Sequence, residues 1–244
     1  MSSAVVGDPY LRLMPQDSRC WIYHLPTELL VQIFRIVYDC VPDDGKRHFP
    51  ELSISHVSKL WRDIAINLPT LWTAFDFPDD LRHNKAAIYL ERSKRAPLEI
   101  VITLDGGEGK ADARTTTELL EKLDATMTLV IPHITRWNSL DIMAFDYSFI
   151  HPTLIQLGAC VGAPMLEVLR ISNYALNPSE GVGEEFKRQD FVLFHGNVPS
   201  LKCVDLVGVH VNWTTSIFLS GLKELHLSCH AEDLRPLFKD FARI

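Results

Sequence analysis

A glycine-rich segment, Asp105-Gly106-Gly107-Glu108-Gly109-Lys110, is the part of this chain that comes nearest to a phosphate-binding loop. Such loops surround phosphate with backbone N–H groups, and a Ser or Thr that binds magnesium follows their lysine. Here Ala111 stands in the Ser/Thr position, and Glu108 would bring a negative charge against a phosphate. We therefore interpret residues 105–112 as a connecting loop rather than a nucleotide site.

Three potential metal ligands, His226, Cys229 and His230, lie close together near the end of a predicted strand. A structural zinc site takes four ligands in tetrahedral geometry, usually from two clusters at fixed spacing. No second cluster accompanies this one, so we interpret the three residues as polar positions flanking a strand. We predict neither a metal nor another cofactor.

Nucleophilic and acid–base catalysis have no recognisable constellation in the sequence. A Gly-x-Ser-x-Gly elbow is missing, and no Cys has a recognisable His partner. The paired carboxylates Asp43-Asp44 and Asp79-Asp80 follow prolines in turn-like surroundings and are interpreted as solvated loop residues. We predict no catalytic residue and no enzyme activity. An enzyme whose site the sequence does not reveal is the alternative, and a pocket with several buried titratable groups would favour it.

Composition and charge narrow the class of protein. The 244 residues are 47% apolar and 23% charged, which is typical of a globular chain with one large domain or a small module and a larger one. The net charge of −7 provides no general attraction to the nucleic-acid backbone. No apolar run is long enough to span a bilayer. We predict no nucleic-acid partner and no membrane partner.

The N-terminal residues and the cysteines indicate an intracellular protein. Residues 1–20 contain no basic start followed by an apolar run, so they are not a signal peptide; we expect a loose arm. Five cysteines are scattered without a Cys-x-x-Cys pair, as expected for free thiols in a reducing compartment: Cys20, Cys40, Cys160, Cys203 and Cys229. The cytoplasm, the nucleus or both are the expected location.

A helix-start signal and a wide apolar face occupy residues 25–34. Pro26 suits the first helical position, and Glu28 suits the positive end of the helix dipole. Apolar residues then recur at helical spacing and predict one broad stripe: Leu29, Leu30, Ile33, Phe34 and Val37. A second helix is predicted from Leu52 to Ile66, and Leu68-Pro69-Thr70-Leu71-Trp72 repeats the Leu-Pro start over a single turn.

These segments resemble an F-box, and most of all the F-box-like module of fungal proteins. The matching residues are Leu25-Pro26-x-Glu28-Leu29-Leu30-x-x-Ile33-Phe34, then Val57-x-x-x-Trp61-Arg62, then Leu71-Trp72. The resemblance implies a three-helix module that docks on the Skp-type adaptor of a Skp–cullin–F-box ubiquitin ligase. The adaptor-binding residues that it implies are Leu25, Pro26, Leu29, Leu30, Ile33, Phe34, Val57 and Trp61. Trp61 and Trp72 are expected mainly to hold the three helices together.

One segment departs from the F-box pattern. Residues 38–50 are longer and more polar than the usual link between the first two helices. This insertion favours the alternative of a scaffold that keeps the F-box shape but recruits no ligase.

A short unit, apolar-x-x-apolar-x-apolar, recurs in the second half of the chain. It appears as Trp137-Asn138-Ser139-Leu140-Asp141-Ile142, Leu166-Glu167-Val168-Leu169-Arg170-Ile171, Leu201-Lys202-Cys203-Val204-Asp205-Leu206 and Leu222-Lys223-Glu224-Leu225-His226-Leu227. The first positions are separated by 29, 35 and 21 residues, around the leucine-rich-repeat period of about 20–29 residues. The units resemble irregular leucine-rich repeats, and their strands are predicted to lie side by side, in chain order, in one parallel sheet. An ordinary α/β domain is the alternative.

The predicted organisation has three parts: a loose arm (1–20), an F-box-like module (21–75) and a leucine-rich-repeat-like region (76–244). The fold class is α+β to α/β, with a parallel sheet in the repeat region. The C-terminal amphipathic stretch, residues 233–241, is expected either to fray or to belong to a longer repeat array. The predicted function is a non-catalytic substrate receptor that links target proteins to a cullin ligase through the adaptor. The sequence identifies neither the target protein nor its binding residues.

Overall fold

The computed structural model describes residues 21–40, 49–77, 83–104, 113–174, 191–216 and 219–230. The chain divides into two compact units, Met1–Ala65 and Ile66–Ile244, and each is described by itself. The division falls within the range predicted for the F-box-like module. No helix in the described ranges is long and apolar enough to cross a membrane.

The first unit is helical. A 3₁₀ turn, Trp21–His24, precedes α1 (Thr27–Asp39), and α2 (Pro50–Val57) and α3 (Lys59–Ile66) follow. Helix α1 begins one residue later than predicted, with Pro26 in the N-cap position at φ −54°. The carbonyl oxygen of Pro26 accepts the first two hydrogen bonds of the helix, from the N–H groups of Leu29 and Leu30, so Pro26 still marks the helix start. Residues 41–48, the centre of the polar insertion, lie outside the described residues.

The single helix predicted from Leu52 to Ile66 is wrong, because Ser58 divides it. Ser58 has extended backbone angles, φ −157° and ψ 170°. Its Oγ accepts a hydrogen bond from the backbone N–H of Trp61 at 3.2 Å, which is the geometry of an N-cap. Serine satisfies an otherwise unpaired N–H at a helix start, and this local hydrogen bond favours a new helix over continuation of the old one.

The interior of the first unit contains an aromatic pair. Phe34 of α1 is fully buried and lies 4.8 Å, centroid to centroid, from the ring of Trp61 in α3. The rings are tilted by 54°, an arrangement that favours contact between the edge of one ring and the face of the other. This contact ties α1 to α3.

The second unit is built on a six-stranded parallel sheet whose strands lie in chain order. The strands are β1 (Ala74–Phe77), β2 (Leu98–Leu104), β3 (Trp137–Ala144), β4 (Val168–Asn173), β5 (Cys203–Val207) and β6 (Glu224–Ser228). The prediction of an α/β region with the four repeat strands side by side in one parallel sheet is confirmed. Two further strands extend the sheet at the β1 side.

Strand register stacks the repeated apolar positions into two columns. One column runs through Phe75, Ile100, Leu140, Leu169, Val204 and Leu225, and the other through Phe77, Ile102, Ile142, Ile171, Leu206 and Leu227. From β1 to β5 these side chains are buried. Alternate residues of a strand point to opposite faces, so the two columns belong to one covered face of the sheet.

Helices connect the first four strands: α4 (His83–Ser93), α5 (Ala113–Val130) and α6 (Tyr147–Ala159). Helix α5 packs against both α4 and α6, so the three helices form one layer. A layer of this kind is expected when every parallel strand is added on the same side, because right-handed crossovers then all pass over the same face.

Trp72 and Arg136 fix helix α4 in the second unit. Trp72, in a 3₁₀ turn at Pro69–Trp72, packs edge to face on Tyr89 at 4.9 Å and lies under Arg92 at 4.3 Å. The contacts described for Trp72 thus lie in α4. Arg136 donates hydrogen bonds to the carbonyl oxygens of Leu90 and Ala96 and to Ser93 Oγ, at 3.3, 3.2 and 2.9 Å, close to the C-terminal end of α4.

Candidate functional site

The eight residues implied to bind the adaptor divide by exposure. Pro26, Leu29 and Val57 are exposed, Leu25 and Ile33 are half-buried, and Leu30, Phe34 and Trp61 are buried. The buried three can support a binding surface from beneath, but they do not present one. In particular, the ring contact with Trp61 occupies Phe34.

Helix α1 carries a second apolar face beside its buried one. Leu29, Ile33, Ile36 and Val37 recur at helical spacing on this face, and we call them the α1 stripe. Ile36 is 61% exposed, and Leu29 and Val37 are each 45% exposed. Sequence reasoning missed Ile36, although its position three residues after Ile33 could have identified it.

Other apolar side chains of the first unit are also exposed. Val57 at the end of α2 is 53% exposed and Leu60 in α3 is 41% exposed. Single exposed apolar residues are ordinary on protein surfaces, whereas several on one small unit indicate an interaction surface. The α1 stripe is the most continuous part of this surface and is the first candidate site.

The second candidate site is the side of the sheet that the described helices leave uncovered, which we call the open face. Its residues alternate with the buried columns and are exposed or half-buried for the most part. A basal row contains Ala74, Glu99, Ser139, Val168, Cys203 and Glu224; a central row contains Asp76, Val101, Asp141, Arg170, Asp205 and His226; an upper row contains Thr103, Met143, Ser172, Val207 and Ser228.

Negative charge dominates the open face. The three rows carry five carboxylates (Asp76, Glu99, Asp141, Asp205 and Glu224) and one guanidinium, that of Arg170. Arg170 Nη1 lies 3.9 Å from Asp141 Oδ2, a long ion pair. Partial burial raises the pKa of Asp141; Arg170 lowers it, and the neighbouring carboxylate of Asp205 raises it again. The net upward shift means that burial, the largest cause, together with Asp205 outweighs the effect of Arg170 on the pKa of Asp141.

An aromatic pair continues the open face beyond the upper row. Phe145 follows β3 and Tyr174 follows β4, and their backbone N–H groups extend the sheet ladder at 3.2 and 2.8 Å. Both side chains are about half exposed, at 49% and 46%, and their ring centroids lie 5.9 Å apart. They stand two residues beyond Met143 and Ser172, so alternation places them on the same face.

His226, Cys229 and His230, the three potential metal ligands of the sequence, lie at the end of β6 and just beyond it. In the described ranges, no three His, Cys, Asp or Glu side chains lie close enough together to hold a metal ion. His226 and Cys229 are exposed, and the His230 ring contacts Trp213 at 5.5 Å. The four cysteines in the described part of the chain are not disulfide-bonded. The glycine-rich segment and both paired carboxylates lie outside the described residues.

A buried Tyr–His pair is a feature that sequence reasoning missed. Tyr147 Oη and His210 Nδ1 are 2.8 Å apart, and the rings of His210 and Phe191 are in contact. Burial raises the pKa of Tyr147 above its ordinary value, so the hydroxyl stays neutral and is not activated as a nucleophile. The two residues are 63 positions apart, and no local pattern connects them. We interpret the pair as a satisfied polar contact in the core.

No family model, curated protein or solved structure matches this chain. The α1 stripe and the open face are the two surfaces of the described residues that bear on function.

Proposed function

We propose that the protein is a non-catalytic substrate receptor of a Skp–cullin–F-box ubiquitin ligase. In this proposal the helical unit binds a Skp-type adaptor, and the repeat-like sheet holds the target protein. The observation that carries the proposal is the α1 stripe, an exposed apolar helix face that directly follows the Leu25-Pro26 start. The protein itself catalyses no step, because its role is to bring two partners together.

The chemistry of the α1 stripe supports adaptor binding. An amphipathic helix that lays apolar side chains into a partner's hydrophobic groove is a common recognition mode. Burial of apolar surface contributes about 25 cal/mol per Å². The exposed surface of Leu29, Ile36 and Val37 would therefore contribute to the free energy of binding when a partner covers it. Leu30 and Phe34 would hold the helix in place while Leu29 and Ile33 make the contact.

The sheet supports the repeat half of the proposal. Strands in chain order, with the first three connections on one face, agree with leucine-rich-repeat units, each of which adds one strand and its return segment. Repeat proteins of this kind use the strand face as an extended binding surface. The proposed receptor would present its open face to the target.

Adaptor titration of a paired variant tests the proposal. Leu29→Asp together with Val57→Asp places two charges on exposed positions and spares the buried Phe34, whose replacement would confuse binding with folding. We expect at least about 30-fold weaker binding to a purified Skp-type adaptor, because hot-spot positions contribute about 2 kcal/mol or more. Isothermal titration calorimetry measures the affinity.

The matched control carries the same charges on the second unit. Ile155 and Val161 are 50% and 75% exposed, so Ile155→Asp together with Val161→Asp makes an equal change in charge and apolarity. This control should bind the adaptor like the unmodified protein. Equal affinities for both double variants would show that the α1 stripe is not the contact.

A scaffold without ligase recruitment is the second candidate function. The polar insertion in residues 38–50 favours it, as does an open face that lies wholly within the second unit. Failure of the unmodified protein to bind any Skp-type adaptor, with its helical unit folded, would favour this scaffold over the receptor.

A further inference from the structure

The central row of the open face has a regular charge pattern. Carboxylates occupy every second strand: Asp76 on β1, Asp141 on β3 and Asp205 on β5. Neighbouring strands lie about 4.8 Å apart, so the pattern repeats at about 9.6 Å across the sheet. The repeat belongs to the tertiary structure, because the three residues are far apart in sequence.

A polyproline II segment has nearly the same repeat. Its turn of three residues advances about 9.3 Å, and side chains three positions apart point the same way. A β-strand places side chains on one side at about 6.6 Å intervals, and an α-helix repeats at about 5.4 Å. Of these three conformations, polyproline II therefore matches the carboxylate spacing best.

The open face also carries exposed aromatic side chains, which lie beyond the charged central row along the strands. Phe145 and Tyr174 lie four residues along their strands from Asp141 and Arg170, or about 13 Å away. The upper row between them is uncharged: Thr103, Met143, Ser172, Val207 and Ser228. Polyproline II ligands dock on exposed aromatic side chains, and here the aromatic pair would border such a ligand opposite the carboxylates.

We propose that the open face binds an extended, proline-containing segment of a partner protein that carries Lys or Arg at every third position. The segment crosses the strands over the upper row. Its basic side chains meet Asp76, Asp141 and Asp205, and its prolines contact Phe145 and Tyr174. The five carboxylates against one guanidinium provide the charge complementarity.

Arg170 sets the spacing within this arrangement. It stands between Asp141 and Asp205 in the central row, so a cation directly above β4 would be repelled. Cations above β3 and β5 lie farther from the Arg170 guanidinium. This arrangement also favours a ligand whose basic side chains are two strands apart. Burial is the main cause that raises the pKa of Asp141, and Arg170 lowers it; a second cation above β3 would favour the charged carboxylate in the same way as Arg170.

This inference names the kind of segment that the proposed receptor would hold, and in that sense it rests on the proposed function. Its test uses the full chain without adaptor. Failure of peptide binding therefore leaves adaptor binding unaffected, and failure of adaptor binding leaves the peptide result unaffected.

Fluorescence anisotropy with synthetic peptides tests the spacing. The probe is a labelled peptide of four Lys-Pro-Ser repeats, and its control has the same composition with the lysines contiguous. We expect the repeating peptide to bind about fivefold more tightly, since misplaced lysines lose at least one exposed charge pair. Equal affinities for the two peptides would overturn the proposal that a three-residue repeat in the ligand matches the distance across two strands of the sheet.

Variants of the protein test the site. Asp141→Asn with Asp205→Asn should weaken the repeating peptide about tenfold, because two charge pairs are lost. Glu91→Gln with Glu121→Gln, on exposed positions of α4 and α5, removes the same charge from the helical layer and should leave the affinity unchanged. An equal loss of affinity in the two double variants would mean that only the net charge of the protein attracts the peptide, and would contradict a specific site on the open face.

A third variant separates the two edges of the site. Tyr174→Ala should weaken the repeating peptide about fivefold at both low and high salt, whereas the Asp variants should matter mainly at low salt. No effect of Tyr174→Ala would remove the aromatic border from the proposal. If the Asp variants changed sedimentation of the protein alone and not peptide affinity, the open face would be a contact between two copies and the inference would be wrong.

Discussion

The α1 stripe and the open face differ in the physical basis of recognition. The stripe is four uncharged side chains on one helix, and the open face is five carboxylates and one guanidinium spread over six strands. Binding at the stripe would be driven by the removal of water from apolar side chains, and its affinity would change little with salt. Contact with the open face would be guided by charge and weakened by salt. The first basis suits one constant partner, and the second suits partners that exchange.

In both regions, buried apolar side chains directly behind the exposed ones hold the exposed surface in place. In α1, buried Leu30 and Phe34 stand behind Leu29 and Ile36; in the sheet, the two apolar columns stand behind the charged rows. Neighbouring positions in each region should therefore respond very differently to the same truncation. That contrast can be measured independently of any partner.

The largest effect is expected at the covered side of α1. Phe34→Ala removes a fully buried ring and its contact with Trp61, and should lower the free energy of unfolding of the helical unit by about 3–5 kcal/mol. Ile36→Ala, two residues away on the stripe, should change it by less than about 0.5 kcal/mol. Hydrogen exchange of α1 and α3 amides measures both. Similar losses at the two positions would mean that the stripe is part of the core.

The next effect is expected at the covered face of the sheet. Ile142→Ala opens a cavity between Ile102 and Ile171, and should cost about 2–5 kcal/mol in a urea titration of the second unit. Val101→Ala, on the open face of the neighbouring strand, should cost much less because its side chain is only partly buried. Equal costs would contradict the division into a covered and an open face.

A smaller effect separates the two arginines. Arg136→Ala removes three hydrogen bonds at the end of α4 and should cost at least about 1.5–3 kcal/mol, the contribution of a single hydrogen bond to a charged group. Arg170→Ala removes the long ion pair with Asp141 and should cost less than about 1 kcal/mol. Thermal unfolding of the two variants compares them. A larger loss for Arg170 would indicate that the open face is part of the core.

The smallest effect is expected at Asp141, and its sign depends on pH. Burial, partly offset by Arg170 and reinforced by Asp205, raises the pKa of Asp141 in the folded state. The folded protein then holds this proton more tightly than the unfolded chain, so stability falls as pH rises from the unfolded to the folded pKa.

Asp141→Asn removes this loss. The variant should equal the unmodified protein at acidic pH and exceed it by less than about 1 kcal/mol above the folded pKa, because the site is partly solvated. Urea titrations over a pH series measure the difference. A variant that is less stable at neutral pH would show that the Arg170 pair outweighs the cost of burying Asp141.

Repetition made the sheet predictable. Four units with the same internal spacing identified the strands, since strands covered on one face need apolar residues at alternate positions. The helix break at Ser58 was not predicted, because the apolar spacing from Ile54 to Trp61 continues across it. A side-chain hydrogen bond of one serine outweighed the periodicity there.

Sequence by itself determined the local elements of this protein: the helix that follows Pro26, the strands of the repeated unit, and the apolar positions of each. Only the tertiary structure decided which apolar residues are covered, as with Phe34 against Ile36, and which polar residues meet. Asp76, Asp141 and Asp205 lie on three separate strands, and Tyr147 meets His210 across 63 residues. The physical reason is that periodicity is set within one turn or one strand, whereas register and packing are set between segments that the sequence keeps far apart.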